Sequence, residues 1–334
     1  MYFFHIYIIH ISSMKRIHNE RIRHIIKQRI NNEINEDTAV NNEINIDITV
    51  GNEKFKNIKP VIVAIAKLES DYIEEWVKYH LYIGFDYIYL YDNEDVPTYE
   101  KLLIKYLDNI KVIHLPGNNY SKGVQYVALD NFINSYMNKD TITHIAHIDI
   151  DEFIVLKKHN NIKEFINEYI IGDCAGIGIN WRFFGDSGHT AKTSNSVLSR
   201  FTKCEKDGNK HVKTLFNKEY FKKFDIHHIE FINGYYTKSI KGNIIKGPFN
   251  DLIDLSIIQL NHYKCKTIEE WLITSKRGRA TLNTVSYNKV YNPNNNKENV
   301  VKYENIQKTF DLFNKNDVED LHAYNIYLKM NNID

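Results

Sequence analysis

The chain has 334 residues, 43% of them hydrophobic, and a formal net charge of +1. That is ample for a core in one large domain or two modest ones, and it leaves no general field to attract nucleic acid or acidic membranes. Three widely spaced cysteines without a CxxC argue against a disulfide framework or a structural zinc site, and suit a reducing compartment.

The charge is uneven. Residues 1–30 hold Lys15, Arg16, Arg21, Arg23, Lys27 and Arg29 against Glu20 alone, so the remainder is net acidic. Met1–Ile11 is apolar, but two His interrupt it and it lacks the basic start and cleavage site of a signal peptide. It reads as an upstream extension with Met14 as working start, or as a weak membrane-surface segment. No run reaches the ~18 apolar residues of a membrane helix. A cytoplasmic or a virion- or host-associated setting fits, and nothing requires secretion.

Residues 12–30 read as a basic helix. Residues 31–50 are a near-duplication, NNEINEDTAV then NNEINIDITV, of the kind that forms a variable linker. The expected organisation is an extension over 1–58, a folded domain over 59–282, and an Asn-rich loop with closing helices over 283–334.

Within the domain, strands and helices alternate. Pro60–Ala66 is a continuous apolar run, expected of a strand buried on both faces. A helix over Asp71–Ile83, a strand over Phe85–Tyr91, a helix over Thr98–Leu107, a strand over Ile110–Leu115 and a helix over Ser121–Met137 follow. Thr143–Phe153 reads as one buried strand and Ile162–Ile170 as a helix. This order predicts an α/β fold with a mostly parallel sheet and helices on both faces. Ala175–Phe184 and Ile257–Tyr263 read as further strands separated by irregular, polar chain. Ile268–Arg279 reads as a helix.

Asp149-Ile150-Asp151-Glu152 closes the fourth strand. On a strand, Asp149 and Asp151 point the same way and repel unless a cation sits between them. Hard oxygen ligands suit Mg²⁺ or Mn²⁺. The other reading is a pair of solvated turn acids, or a helix N-cap with acidic first-turn residues. Lys67–Glu69, Asp92-Asn93 and the region after Leu115 end the neighbouring strands, along the edge where open α/β sheets bind ligands. Asp92 reads either as an acceptor for a nucleobase or ribose, or as a turn residue.

Neither a dinucleotide fingerprint nor a P-loop is present, so phosphates would rely on a metal and basic side chains. Lys276, Arg277 and Arg279 offer such a cluster, or else a solvated helix end. His262 ends an apolar strand, placed as a third metal ligand or as a structural hydrogen-bonder. The run from Trp181 and Arg182 through Asp186 to His189 mixes an aromatic ring with groups that bond hydroxyls. Its plainer reading is a core Trp beside a tight turn.

Together these segments resemble glycosyltransferase family 92 and its family-2-like relatives, which share the GT-A fold. The resemblance runs from about Val61 to Ala280. KLESDYIEEWVKYHLYIGFDYIYLYDN is similar to the family opening, HIDIDEF to its DxDEF core, and NWRFFGDSGH to its aromatic-Gly-His segment. Gln125, Ser199–Phe201, Lys213, His227-His228, Asn261–Tyr263 and KTIEEWLITSKRGRA complete the ordered series. Leu68 stands where the family usually has Asn, and Asp186 where it often has a small polar residue.

The resemblance implies a metal-dependent, inverting transfer of a sugar, galactose being best associated with the family, from a UDP-sugar to a hydroxyl of a glycan or glycoprotein. It implies Mn²⁺ or Mg²⁺ held by Asp151 with Asp149 and His262. Lys67, Glu69, Asp92, Asn93, Gln125, Trp181, Arg182, His189, Lys213, His228, Lys276, Arg277 and Arg279 would bind nucleotide or substrate. Asp186, or else Glu152, would be the base. A different class of reading is a degenerate GT-A domain kept as a binding module. A DxD phosphatase would carry its motif on the first strand, and a nuclease would show a basic face.

Overall fold

The computed structural model describes residue 55 and residues 57–117, 120, 123–193, 196–277 and 306–333. The basic helix and tandem copy expected over 12–50, Arg279 and the loop at 283–300 lie outside the described residues.

Strand β1 (Pro60–Ala66) serves two cores because its side chains alternate. Ile62, Ala64 and Ala66 pack with Trp76 and Tyr79 of helix α1 (Ile73–Tyr82). Val61 and Val63 pack with Ala128, Leu129 and Phe132 of a helix over Val124–Ser135. Strands β2 (Tyr87–Asp92) and β3 (Ile110–His114) continue the sheet in parallel on one side of β1, and β4 (His144–His147) lies parallel on the other. This half, with helices on both faces, is as the alternating sequence predicts. The helix expected over Thr98–Leu107 is a turn of helix at Tyr99–Leu102 followed by a 3₁₀ turn at Ile104–Tyr106.

The segment Thr143–Phe153 is not one strand. β4 ends at His147, residues 148–151 turn, and β5 (Glu152–Leu156) begins anew. Two local bonds make the break: the Glu152 N–H reaches the Asp149 carbonyl, and the Asp149 N–H donates to Glu152 Oε2 at 2.8 Å. Strand alternation therefore does not set where Asp149 and Asp151 point.

The second half of the sheet contains antiparallel members. Strand β8 (Val212–Asn217) runs antiparallel to both β4 and β6 (Cys174–Phe183). Strand β12 (Ile258–His262) lies parallel to β6, and β5 pairs antiparallel to β12. β8 and the short strands Phe221–Phe224, Ile229–Phe231 and Tyr236–Lys238 occupy chain expected to be irregular.

The order β3-β2-β1-β4-β8-β6-β12-β5 requires a curl. Four neighbour steps separate β4 from β5, about 19 Å across a flat sheet. Residues 148–151 could span only about 17 Å fully extended, and here they form a tight turn. The sheet therefore bends round until the first and last strands of that half nearly meet.

Strand β5 has β12 on one side only, and α1 covers the other. The Trp76 indole donates to the Glu152 carbonyl at 2.8 Å, and the Tyr79 hydroxyl to the Ile154 carbonyl at 3.0 Å. The Ile154 N–H points to His80 Nε2 at 3.4 Å, while His80 Nδ1 lies 2.8 Å from the Trp76 carbonyl. Burial pushes His80 down to about 3, so the ring is neutral at pH 7 and can donate from one nitrogen and accept at the other. A helix thus satisfies the backbone of a strand edge that would otherwise be bare.

The C-terminal segment joins the same body through a mini-sheet. Phe184 bridges to Cys204, and strand β7 (Lys203–Cys204) pairs with β13 (Val318–Glu319). Arg182 Nη1 and Asp320 Oδ2 form a buried ion pair at 2.6 Å. Among the described residues no helix is long and apolar enough to cross a membrane.

Candidate active site

Topology places the site before any side chain is considered. The carboxyl ends of the parallel strands β1, β2, β3 and β4 share one edge. The carboxyl ends of β6 and β12, and the amino ends of β5 and β8, lie at the same edge. The 148–151 turn therefore meets Lys213 from β8 and His262 from β12.

Lys213 is sealed inside, 1% exposed. Its Nζ lies 3.2 Å from Asp149 Oδ2 and 3.6 Å from Glu152 Oε2. Burial opposes its charge, but Asp149 and Glu152 outweigh that and hold its pKa above the ordinary lysine value. Burial likewise works against the charge of Asp149, and Lys213 overcomes it, so Asp149 titrates below the usual carboxylate range. Glu152 is fully buried, and that burial pushes it up to about 8 despite Lys213, with Asp149 and Asp151 adding repulsion. One cation thus serves two carboxyls, and Asp149 is the one that keeps its charge. Gln125, near the start of its helix, donates to Asp149 Oδ1 at 3.1 Å and lies 3.3 Å from His147 Nε2.

Asp151 lies beside His262. Its Oδ2 stands 3.6 Å from His262 Nε2, and His262 Nδ1 is buried without a hydrogen-bond partner among the described residues. Phe183 stacks on the His262 ring at 5.1 Å, and Trp181 meets it edge-on at 4.6 Å. No group of three His, Cys, Asp or Glu forms a metal cage among the described residues. Asp151 and His262 supply one carboxylate and one imidazole, donors that Mn²⁺ accepts, and such ions often complete their shell with phosphate oxygens and water. These residues fit a two-donor site finished by a substrate. Asp149 instead faces Lys213.

The remaining candidates divide. Lys67 pairs with Asp95 at 3.3 Å, beside the buried Glu69. The Asp92 carboxylate accepts the N–H groups of Glu94, Thr98 and Tyr99, and Asn93 donates to the carbonyls of Leu115 and Gly117. Both shape the loops at the strand ends. Trp181 is enclosed, with His211 stacked on it at 4.9 Å and His227 at its edge. Arg182, next along β6, points away from it: besides Asp320 it bonds the carbonyls of Glu205 and Lys206. His189 Nε2 lies 3.0 Å from the Arg200 carbonyl. His228 lies 3.8 Å from Asp225, in a crevice with His147, Thr214 and His227. Lys276 and Arg277 end the helix α6 (Ile268–Arg277).

Asp186 sits in the turn after β6, partly open to solvent. Its carboxylate accepts from the Gly188 N–H at 2.9 Å, Asn314 Nδ2 at 2.8 Å and Asn316 Nδ2 at 3.2 Å. Sequence reasoning did not single out His147, His211, Asn314, Asn316 or Glu270. His147 and His211 each stand two residues before a candidate, Asp149 and Lys213, which is a usable signal. Asn314 and Asn316 act across large sequence separations and leave none, whereas Glu270 closes a Thr267-x-x-Glu270 capping box, which is a local signal.

The profile of glycosyltransferase family 92 matches residues 59–316. No curated protein matches closely enough to count as a relative. Among solved structures, Staphylococcus aureus TarS 1–349 in complex with UDP-GlcNAc is 12% identical, with 83% of this chain and 72% of that one covered and a TM-score of 0.36. TarS 1–349 alone is 14% identical, with 49% and 48% covered and a TM-score of 0.32, so the chain spans about half of that structure. HddC from Yersinia pseudotuberculosis is 14% identical, with 49% and 78% covered and a TM-score of 0.28. The family profile takes in the turn, Lys213, His262 and the Asp186 loop, and the chain belongs to glycosyltransferase family 92.

Proposed function

We propose that this protein transfers a sugar from a UDP-sugar to a hydroxyl of a glycan or glycoprotein, with inversion at the anomeric carbon. The observation that carries the reading is the charge arrangement at the 148–151 turn. Lys213 balances Asp149 from beneath, leaving Asp151 beside His262 at the sheet edge.

Asp151 and His262 would hold Mn²⁺ or Mg²⁺, whose charge offsets that of the departing diphosphate. Lys276 and Arg277, at the end of α6, would add to the positive field there. The Asp186 carboxylate would take the proton of the acceptor hydroxyl as its oxygen bonds to the anomeric carbon, on the face opposite the leaving UDP. Glu152 has no exposure and accepts the Asp149 N–H, so it holds the turn. Galactose as donor sugar rests on the family resemblance alone.

Calorimetric titration with UDP tests donor binding, and NMR of the product anomer tests inversion. Binding heat with Mn²⁺ that EDTA removes is expected, with a product of opposite anomeric configuration to the donor. Equal binding in EDTA, or a retained configuration, would contradict the proposed transfer.

A further inference from the structure

The turn carrying Asp186 is not self-supporting. It lies against Asn314-Lys315-Asn316, more than a hundred residues further along the chain. The Asp186 N–H donates to Asn314 Oδ1 at 2.7 Å, and Asn314 Nδ2 returns a bond to Asp186 Oδ2. The Ser187 N–H donates to Asn316 Oδ1 at 2.8 Å, and Asn316 Nδ2 bonds both Asp186 Oδ1 and Asn314 Oδ1. Each carboxylate oxygen of Asp186 thus has an amide donor from the C-terminal segment.

The approach is close enough to dictate a residue. A Cβ at Gly185 would lie 2.5 Å from the Lys315 carbonyl and 2.5 Å from Asn316 Oδ1, nearer than real Cβ atoms come. The mini-sheet explains how the segment arrives there. Gly185 donates its N–H to the Lys203 carbonyl, and β13 lies on β7 with Asp317 N–H bonded to the Cys204 carbonyl. Ser187 itself stands at φ +53°, a left-handed conformation that non-glycine residues hold only when the surroundings fix it.

We infer that Asn314 and Asn316 are positioning residues that aim the Asp186 carboxylate, so that the C-terminal segment completes the active site. The inference rests on the reading of Asp186 as the base. An amide is suited to this task. Its Oδ1 accepts from the backbone of the turn while its Nδ2 donates to the carboxylate, so one side chain fixes both the loop and the acid it carries. An aspartate in either place keeps the acceptor but sets like charge against Asp186.

The test measures UDP release from UDP-galactose and UDP-N-acetylglucosamine with Mn²⁺, water serving as nucleophile. The variants are Asp186→Asn, Asn314→Asp, Asn316→Asp and the double variant Asp186→Asn/Asn314→Asp. Misplacement of a reacting group by about 1 Å costs on the order of 10²-fold. Each Asn→Asp variant should lose about that much kcat with donor KM unchanged, and the double variant should be no slower than Asp186→Asn alone. Full kcat in both Asn→Asp variants, or losses that add in the double variant, would overturn the positioning role. An active Asp186→Asn would instead remove the base assignment. Hydrogen exchange over residues 185–189 keeps the inference testable if no donor is turned over. Exchange should rise in both Asn→Asp variants, and unchanged exchange would end it.

Discussion

The Lys213 ammonium lies 3.2 Å from the Asp149 carboxylate with almost no contact with solvent. A buried cation survives only if it is paired, and removing one partner of such a pair costs several kcal/mol. Lys213→Met should therefore destabilise the fold by about 3 kcal/mol, although it keeps the apolar stem. Urea unfolding checks this, and a loss below about 1 kcal/mol would mean the pair behaves like a surface ion pair.

Glu152 shares that lysine and titrates at about 8. A carboxyl raised above its unfolded value favours the folded state below the unfolded pKa, and loses that contribution as pH rises through the folded one. In EDTA, wild-type stability should therefore decline between roughly pH 5 and 8 relative to Glu152→Gln, which mimics the protonated form. Parallel curves for the two proteins would contradict the arrangement.

The opposite sign holds at Glu270. Burial disfavours its charge, but Arg200 Nη1 and Nη2, the Tyr72 hydroxyl and Thr267 outweigh that and hold it down to about 2. Its contribution is present above the unfolded carboxylate value and is lost as pH falls towards 2. Arg200→Met should remove most of this acid sensitivity while lowering stability at pH 7 by about 3 kcal/mol. Thermal unfolding from pH 7 to pH 2 reads both effects.

Leu68 has φ +57° and is 44% exposed. A left-handed backbone costs a non-glycine residue roughly 1–2 kcal/mol, and Asn tolerates it better. Leu68→Asn should raise stability by about 1 kcal/mol with no packing loss. A drop in the unfolding midpoint would show that the Leu side chain contributes more than its exposure suggests.

The parallel half of the sheet was legible because strands such as Pro60–Ala66 are continuous apolar runs, which only burial on both faces explains. The break inside Thr143–Phe153 was not. Ile148 and Ile150 are as buried as strand residues, so a buried turn and a buried strand carry the same composition. Phe221–Phe224, Ile229–Phe231 and Tyr236–Lys238 are three or four residues long and partly exposed, so tertiary pairing rather than propensity fixes them. At the site, the acids and His262 stood at recognisable strand ends. What each faces depends on the curl of the sheet and on contacts such as Asp186 with Asn314, which no local pattern encodes.

The proposed function turns on metal-dependent transfer at the Asp151–His262 pair. The most direct measurement is UDP release across UDP-sugars by the full chain with Mn²⁺ and with EDTA, beside Asp151→Asn. Release is expected for one donor sugar, abolished by EDTA and in a folded Asp151→Asn protein. Release that persists in EDTA or in that variant would contradict the proposed function.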